Sequence, residues 1–221
     1  MNVFEEFLAL PARRQSAGEE LANSVSHGLG LLGAMIGTPI LLLAASYHGS
    51  LYFLIGTSIF TVTMLLVYLG STVYHAWPPT RVKSILQVLD HSAIFLLIAG
   101  TYTPFALGPL RDAGGLTMLG IVWALALFGV IMKATRGVLR HRKLGMTLYL
   151  GTGWIALVFI RPLALAIPLS ALLCLIAGGI AYTAGTLFFA NERLRYAHFV
   201  WHLFVLAGTS CHFAAVFICA V

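Results

Sequence analysis

Seven apolar stretches separated by short polar breaks leave this chain few architectures other than a bundle of membrane-crossing helices. Each is close to the ~20 residues that a helix needs to span a bilayer. They run over residues 23–45, 51–77, 84–107, 114–132, 144–161, 168–190 and 196–220. The fifth is the shortest, and residues 161–167, bounded by Pro162 and Pro168, are expected as a tight break before the sixth. Among the 221 residues 60% are hydrophobic and 9% charged, which excludes an ordinary soluble domain. The predicted fold class is all-α, a polytopic seven-helix bundle in the cell membrane, with residues 1–221 forming one domain. Residues 1–18 precede the first span. Phe4, Phe7 and Leu8 recur there at helical spacing beside Glu5 and Glu6, the pattern of either an interfacial helix or a frayed terminus. The acidic start is unlike the basic n-region of a cleavable signal peptide.

Charge placement orients the bundle. With the N-terminus in the cytoplasm, Arg13, Arg14, Arg81, Lys83, Lys133, Arg136, Arg140, Arg142, Lys143, Arg193 and Arg195 all fall on the inner side. Those are 11 of the 13 basic residues; Arg111 and Arg161 fall outside. The positive-inside rule thus favours an odd number of spans, with the N-terminus cytoplasmic and the C-terminus outside. The same rule accounts for the net charge of +6 without a nucleic-acid partner; membrane lipids are the partners expected. Cys174, Cys211 and Cys219 lie in apolar segments with no metal-binding spacing, as small buried hydrophobes do. Gly33 and Gly37 form a G-x-x-x-G spacing, expected to serve internal packing, with a homo-oligomer seam as the alternative.

Four ionisable residues sit within a few turns of segment ends: His75, Asp90, His198 and His202. A charged group inside a membrane helix costs ~2.5–3.5 kcal/mol on insertion scales, so such residues mark functional sites. In the expected topology the second span runs inward and the third and seventh run outward, which brings all four to one depth near the inner leaflet. His198 and His202, at i and i+4, share one helix face about 6 Å apart along the axis. Three imidazoles suit one zinc ion with a position left open for water, and Asp90 is the natural acceptor and general base for that water. Ser71, one turn before His75, either orients a ligand or bonds its own helix backbone. Asn23 and His27 open the first span at the same depth and border the site or serve the helix start. His91 is rotated about 100° from Asp90, and His212 lies about 15 Å beyond His202, so neither is expected on the metal. His212 is expected as a helix-packing hydrogen bonder.

The segments ANSVSHGLG, STVYH, LDHSAIFLLIAGTYTPF, HFVWH and CHF together resemble the hemolysin III family, which belongs with the progestin and adipoQ receptors and, more distantly, the alkaline ceramidases. The resemblance covers the chain from Glu19 onward. It implies seven helices with a cytoplasmic N-terminus and zinc held by His75, His198 and His202. It also implies Asp90 near the zinc-bound water and Ser71 close by. The short segment before the first span resembles the bacterial branch, and the short outer loops argue against hormone sensing.

Three functions follow as expectations. One is zinc-dependent hydrolysis of an amide or ester in a membrane lipid. The second is a pore-forming, cytolytic or membrane-homeostasis protein with structural zinc, which the family name favours. The third, an ion transporter, is weakest because no pair of discontinuous helices marks a midplane site.

Overall fold

The computed structural model describes residues 15–48, 50–135, 142–191 and 193–221. The expected interfacial segment around Phe4, Phe7 and Leu8 lies outside the described residues. The described residues are helical, with no strand among them. The helices are α1 (Ala17–His48), α2 (Leu51–Ala76), α3 (Arg81–Leu107), α4 (Leu116–Ala134), α5 (Arg142–Gly153), α6 (Ile160–Ala166), α7 (Leu169–Ala190) and α8 (Ala197–Ala220). Six of them, all but α5 and α6, are long and apolar enough to cross a membrane. The pair α5 and α6 makes a seventh span if counted together. Helices close every backbone hydrogen bond internally, which lipid demands. Large apolar side chains such as Leu21, Leu29, Ile36 and Leu165 point outward, as they must when the surrounding solvent is hydrocarbon.

Consecutive helices pack side by side, and α1 closes the ring against α8. Small residues permit the close approaches. A Cβ on Gly178 of α7 would collide with the His212 ring of α8, and one on Gly185 would meet Trp201 and Phe204. The expected G-x-x-x-G seam is split. A Cβ on Gly37 would sit 3.0 Å from the Phe213 ring, whereas Gly33 has open space around it. Of this pair, Gly37 is the one that serves packing inside the bundle.

The fifth span departs from expectation. Its first part, 144–157, and α6 meet at 56°, with a 3-10 turn over Trp154–Leu157. Proline supplies the cause. The Pro162 ring lacks an N–H and would clash with the Val158 carbonyl four residues back in a continuous helix. The helix therefore breaks at Val158–Phe159, and Pro162 falls in the first turn of α6, where no N–H is required. Residues 161–166, expected as a connector, are helical, and the connector shrinks to Ile167 and Pro168. The Tyr102 hydroxyl of α3 attends to the backbone near the break. It donates to the Gly153 carbonyl at 2.5 Å and accepts from the Ala156 N–H at 3.0 Å.

Candidate metal centre

Three helix ends meet at the site. His75 is the penultimate residue of α2, while His198 and His202 occupy the first two turns of α8. The entry to α8 is unusual, because Tyr196 takes a left-handed conformation with φ 59°. A non-glycine residue there needs support. Glu19, 3% exposed in the first turn of α1, gives it: Oε1 accepts the Tyr196 N–H at 2.8 Å, and Oε2 accepts the Ser16 N–H and hydroxyl at 2.9 Å each. The α8 start is thereby tied to the α1 start.

One potential ligand atom from each of His75, His198 and His202 lies within 4.8 Å of the others. The ring centroids are 5.0 Å apart for His75–His198, 5.1 Å for His75–His202 and 4.7 Å for His198–His202. Small side-chain rotations would bring three nitrogens onto one ion.

Proton placement tests the fit. The Nδ1 of His75 is 2.7 Å from Glu20 Oε2, closer than the Asn23 amide at 3.4 Å, so the N–H points to Glu20. The opposite nitrogen, Nε2, is buried without a hydrogen-bond partner. His202 is arranged alike. Ser26 donates its proton to the Asn23 carbonyl at 2.8 Å, and His202 Nδ1 lies 3.0 Å from the Ser26 oxygen and 3.2 Å from that same carbonyl. Nδ1 therefore carries the proton, which leaves Nε2 as the acceptor. At His75 that acceptor nitrogen is buried without a partner, a cost that a metal removes.

The other expected residues surround this cluster. Asp90 is 7% exposed, about two turns into α3, and shares the wall of one cavity with Ser71, His27, His198 and His202. It is not part of the three-residue ligand group. The Ser71 hydroxyl is buried, faces the Asp90 carboxylate and is not bonded to its own backbone. His27 stacks on His202 with ring centroids 3.6 Å apart and planes 9° apart, and neither of its nitrogens has a hydrogen-bond partner. Asn23, fully buried, gives its amide to Gln15 and its carbonyl to Ser26 and His202. His91 borders the cavity with its ring against Phe189. His212 lies away from the ligand group, within 3.3 Å of the Leu175 carbonyl, in the packing role expected of it.

Sequence reasoning missed Glu19 and Glu20. Acidic residues in a first helical turn read as partners of the helix dipole. One signal was available: Glu20, Asn23 and His27 fall at i, i+3 and i+7, a single helix face.

The cavity is about 160 Å³ and reaches from His198 to the level of His212, some 21 Å along α8. Its deep wall carries several hydroxyls, yet these are occupied by the protein. Thr101, Thr183 and Thr186 bond to carbonyls of their own helices, Tyr182 bonds to Thr209, and Tyr149 bonds to the His91 carbonyl. What that wall presents is mainly hydrocarbon.

Comparisons with known proteins agree with this architecture. The family described as haemolysin-III related matches residues 15–213. The chain is 41% identical to Hemolysin-3 homolog of Bacillus subtilis (strain 168), over 92% of this chain and 93% of the relative. It is likewise 41% identical to Hemolysin-3 of Bacillus cereus, over 91% and 92% of the two chains. It is 25% identical to human Monocyte to macrophage differentiation factor, over 90% of this chain and 83% of that one. The chain belongs to the haemolysin-III-related family of multi-pass integral membrane proteins, within the wider superfamily of progestin and adipoQ receptors.

Proposed function

We propose that this protein is a zinc-dependent hydrolase of amide or ester bonds in membrane lipids. One observation carries the reading. Among the described residues, most of the buried polar atoms without partners, on Asn23, His27 and His75 among them, gather at one end of the cavity, and the rest of its wall is apolar groups and occupied hydroxyls apart from the His212 Nδ1. Such a site receives a lipid carbonyl at its polar end and an acyl chain along its length.

His75, His198 and His202 would hold the zinc through one nitrogen each. Bound zinc supplies Lewis acidity and lowers the pKa of a coordinated water to ~7. The Asp90 carboxylate, buried beside this group and outside the ligand set, takes the proton from the attacking water and returns it to the leaving group. Ser71, beside Asp90 and not bonded to its own helix backbone, donates to the carbonyl oxygen as charge develops there. His27 packs His202 in place and offers a second polar contact to the lipid headgroup. Charge placement favours the cytoplasmic leaflet for this end of the bundle. Tags before residue 15 and within 133–143 should report cytoplasm, and a tag after Val221 should report the outside.

The test is purified protein in lipid bilayers, wild type beside Asp90→Asn, with lipid products and vesicle leakage both followed. Asn preserves shape and hydrogen bonding but cannot take a proton. Hydrolysis should fall by about 10²–10⁴-fold, the usual worth of a general base. Zinc content and melting temperature should hold. The name Hemolysin-3 of the Bacillus cereus relative favours a second reading, membrane perturbation around a structural metal. Equal leakage from both proteins without any product would establish that reading and end the first.

A further inference from the structure

Glu20 does something the metal cluster alone does not require. It stands 25% exposed at the bundle end, yet Oε2 reaches in to the His75 Nδ1, whose side chain is 1% exposed, at 2.7 Å. The second oxygen, Oε1, accepts from Lys83 Nζ at 2.8 Å. Lys83 is itself fixed: it donates to the Trp77 carbonyl at 3.0 Å and lies 5.1 Å from the centre of the Tyr74 ring. A continuous chain thus runs from the α2–α3 turn through Lys83 and Glu20 to one imidazole of the cluster.

We propose that Glu20 is the outer-sphere carboxylate of the metal centre, a positioning residue that fixes the tautomer and orientation of His75 and thereby sets the affinity for the ion. The proposal rests on the three-histidine metal reading and extends it to a residue outside the ligand set.

Three observations favour this over a surface ion pair. First, exposed ion pairs contribute little to stability, so the Glu20–Lys83 contact alone gives small reason for such an arrangement. Second, the bond to Nδ1 decides which nitrogen of His75 is left bare, and the bare one is the buried, unpartnered Nε2. Third, the two oxygens divide their partners. Lys83 occupies Oε1, which leaves Oε2 to His75 and stops the carboxylate from swinging into the cluster as a fourth ligand. A carboxylate accepting from the far side of a ligating imidazole raises its basicity and freezes its ring, and losing such a group costs 10–100-fold in metal affinity.

The experiment measures zinc binding to the purified full-length protein by competition with a chromophoric chelator. It is run on wild type, Glu20→Gln and Glu20→Ala, beside the visible absorption spectrum with cobalt in place of zinc and the melting temperature of the metal-free proteins. Glu20→Ala should bind zinc 10–100-fold more weakly, with altered cobalt bands and an unchanged metal-free melting temperature. Glu20→Gln, which still accepts from Nδ1 but without charge, should fall between it and wild type. Zinc affinity of Glu20→Ala within threefold of wild type, with the same cobalt spectrum, overturns the proposal. So does a metal-free melting temperature that falls together with affinity in both variants, because Glu20 would then hold helices together and nothing more. Wild-type protein that binds no zinc overturns the metal reading itself, an outcome distinct from failure at Glu20 alone.

Discussion

The two ends of the cavity use the same kinds of side chain to opposite effect. At the His75 end, polar groups are buried with atoms to spare: His27 has two unpartnered nitrogens, His75 one and Asn23 a side-chain oxygen. Toward the His212 end, Tyr102, Tyr182, Thr183 and Thr186 are just as polar, but their hydroxyls are consumed by carbonyls, amides or one another. Burying a polar group costs little when it is satisfied and a good deal when it is not. The first end therefore holds most of the deficit that a ligand can relieve, and the second, where only His212 Nδ1 among the described lining atoms is buried without a partner, serves mainly as structure. The contrast separates function from packing without reference to residue type, and each prediction below is a way to break it.

The largest effect is expected on the metal. His198→Ala/His202→Ala removes two of the three clustered imidazoles, and zinc should be lost at any concentration that wild type retains it. His212→Ala, outside the three-imidazole group, should keep about one zinc per chain. Metal analysis of the purified proteins decides the matter, and full occupancy in the double variant would abolish the centre.

Next comes the shape of the deep end. Leu175 lines the cavity at the level of His212, whose ring approaches its carbonyl. Leu175→Trp should shorten the usable cavity. Hydrolysis of long-chain lipids should fall about tenfold relative to short-chain ones, on the scale of steric discrimination in apolar pockets. Zinc content should stay constant. A uniform loss across chain lengths would mean that the acyl chain lies elsewhere.

Much of this was legible in sequence. Apolar length marked the six long helices and a seventh stretch that the structure bends into a pair, and i, i+4 spacing combined with helix direction marked the histidine cluster. Those features depend on local periodicity, which a sequence displays. The carboxylates did not stand out, because Glu20 acquires its role only from a partner 55 positions away on another helix. The stacking of His27 on His202 likewise joins the first helix to the last. The fifth span was legible as a span but not as a broken one. Pro162 acts on the carbonyl four residues before it, so the break falls upstream of the residue that causes it.

That break supports a third test, in the satisfied half of the contrast. Tyr102→Phe keeps the packing of the ring but strips its hydrogen bonds to the Gly153 carbonyl and the Ala156 N–H. Water is scarce at this depth, so the cost should be ~1–3 kcal/mol, the price of leaving buried backbone groups unpaired. A lower melting temperature with unchanged zinc affinity is expected. A large loss of zinc instead would mean that the fifth span and the metal centre are coupled, and that the two ends are not independent.

The smallest effect belongs to Thr186→Val. Thr186 lines the same cavity and is 8% exposed, so its burial resembles that of Asp90. Its hydroxyl, however, only adds a 2.7 Å bond to the Thr183 carbonyl three residues back in its own helix. Replacing that hydroxyl by a methyl group leaves the carbonyl its place in the helix ladder and exposes no buried donor. Hydrogen bonds of side chains within membrane proteins average only ~0.6 kcal/mol, and an intrahelical one with a redundant acceptor should fall below that. Stability, zinc affinity and hydrolysis should all match wild type. A marked loss of activity at constant stability would show that Thr186 meets the lipid directly, and the deep wall would then have to be counted as part of the site.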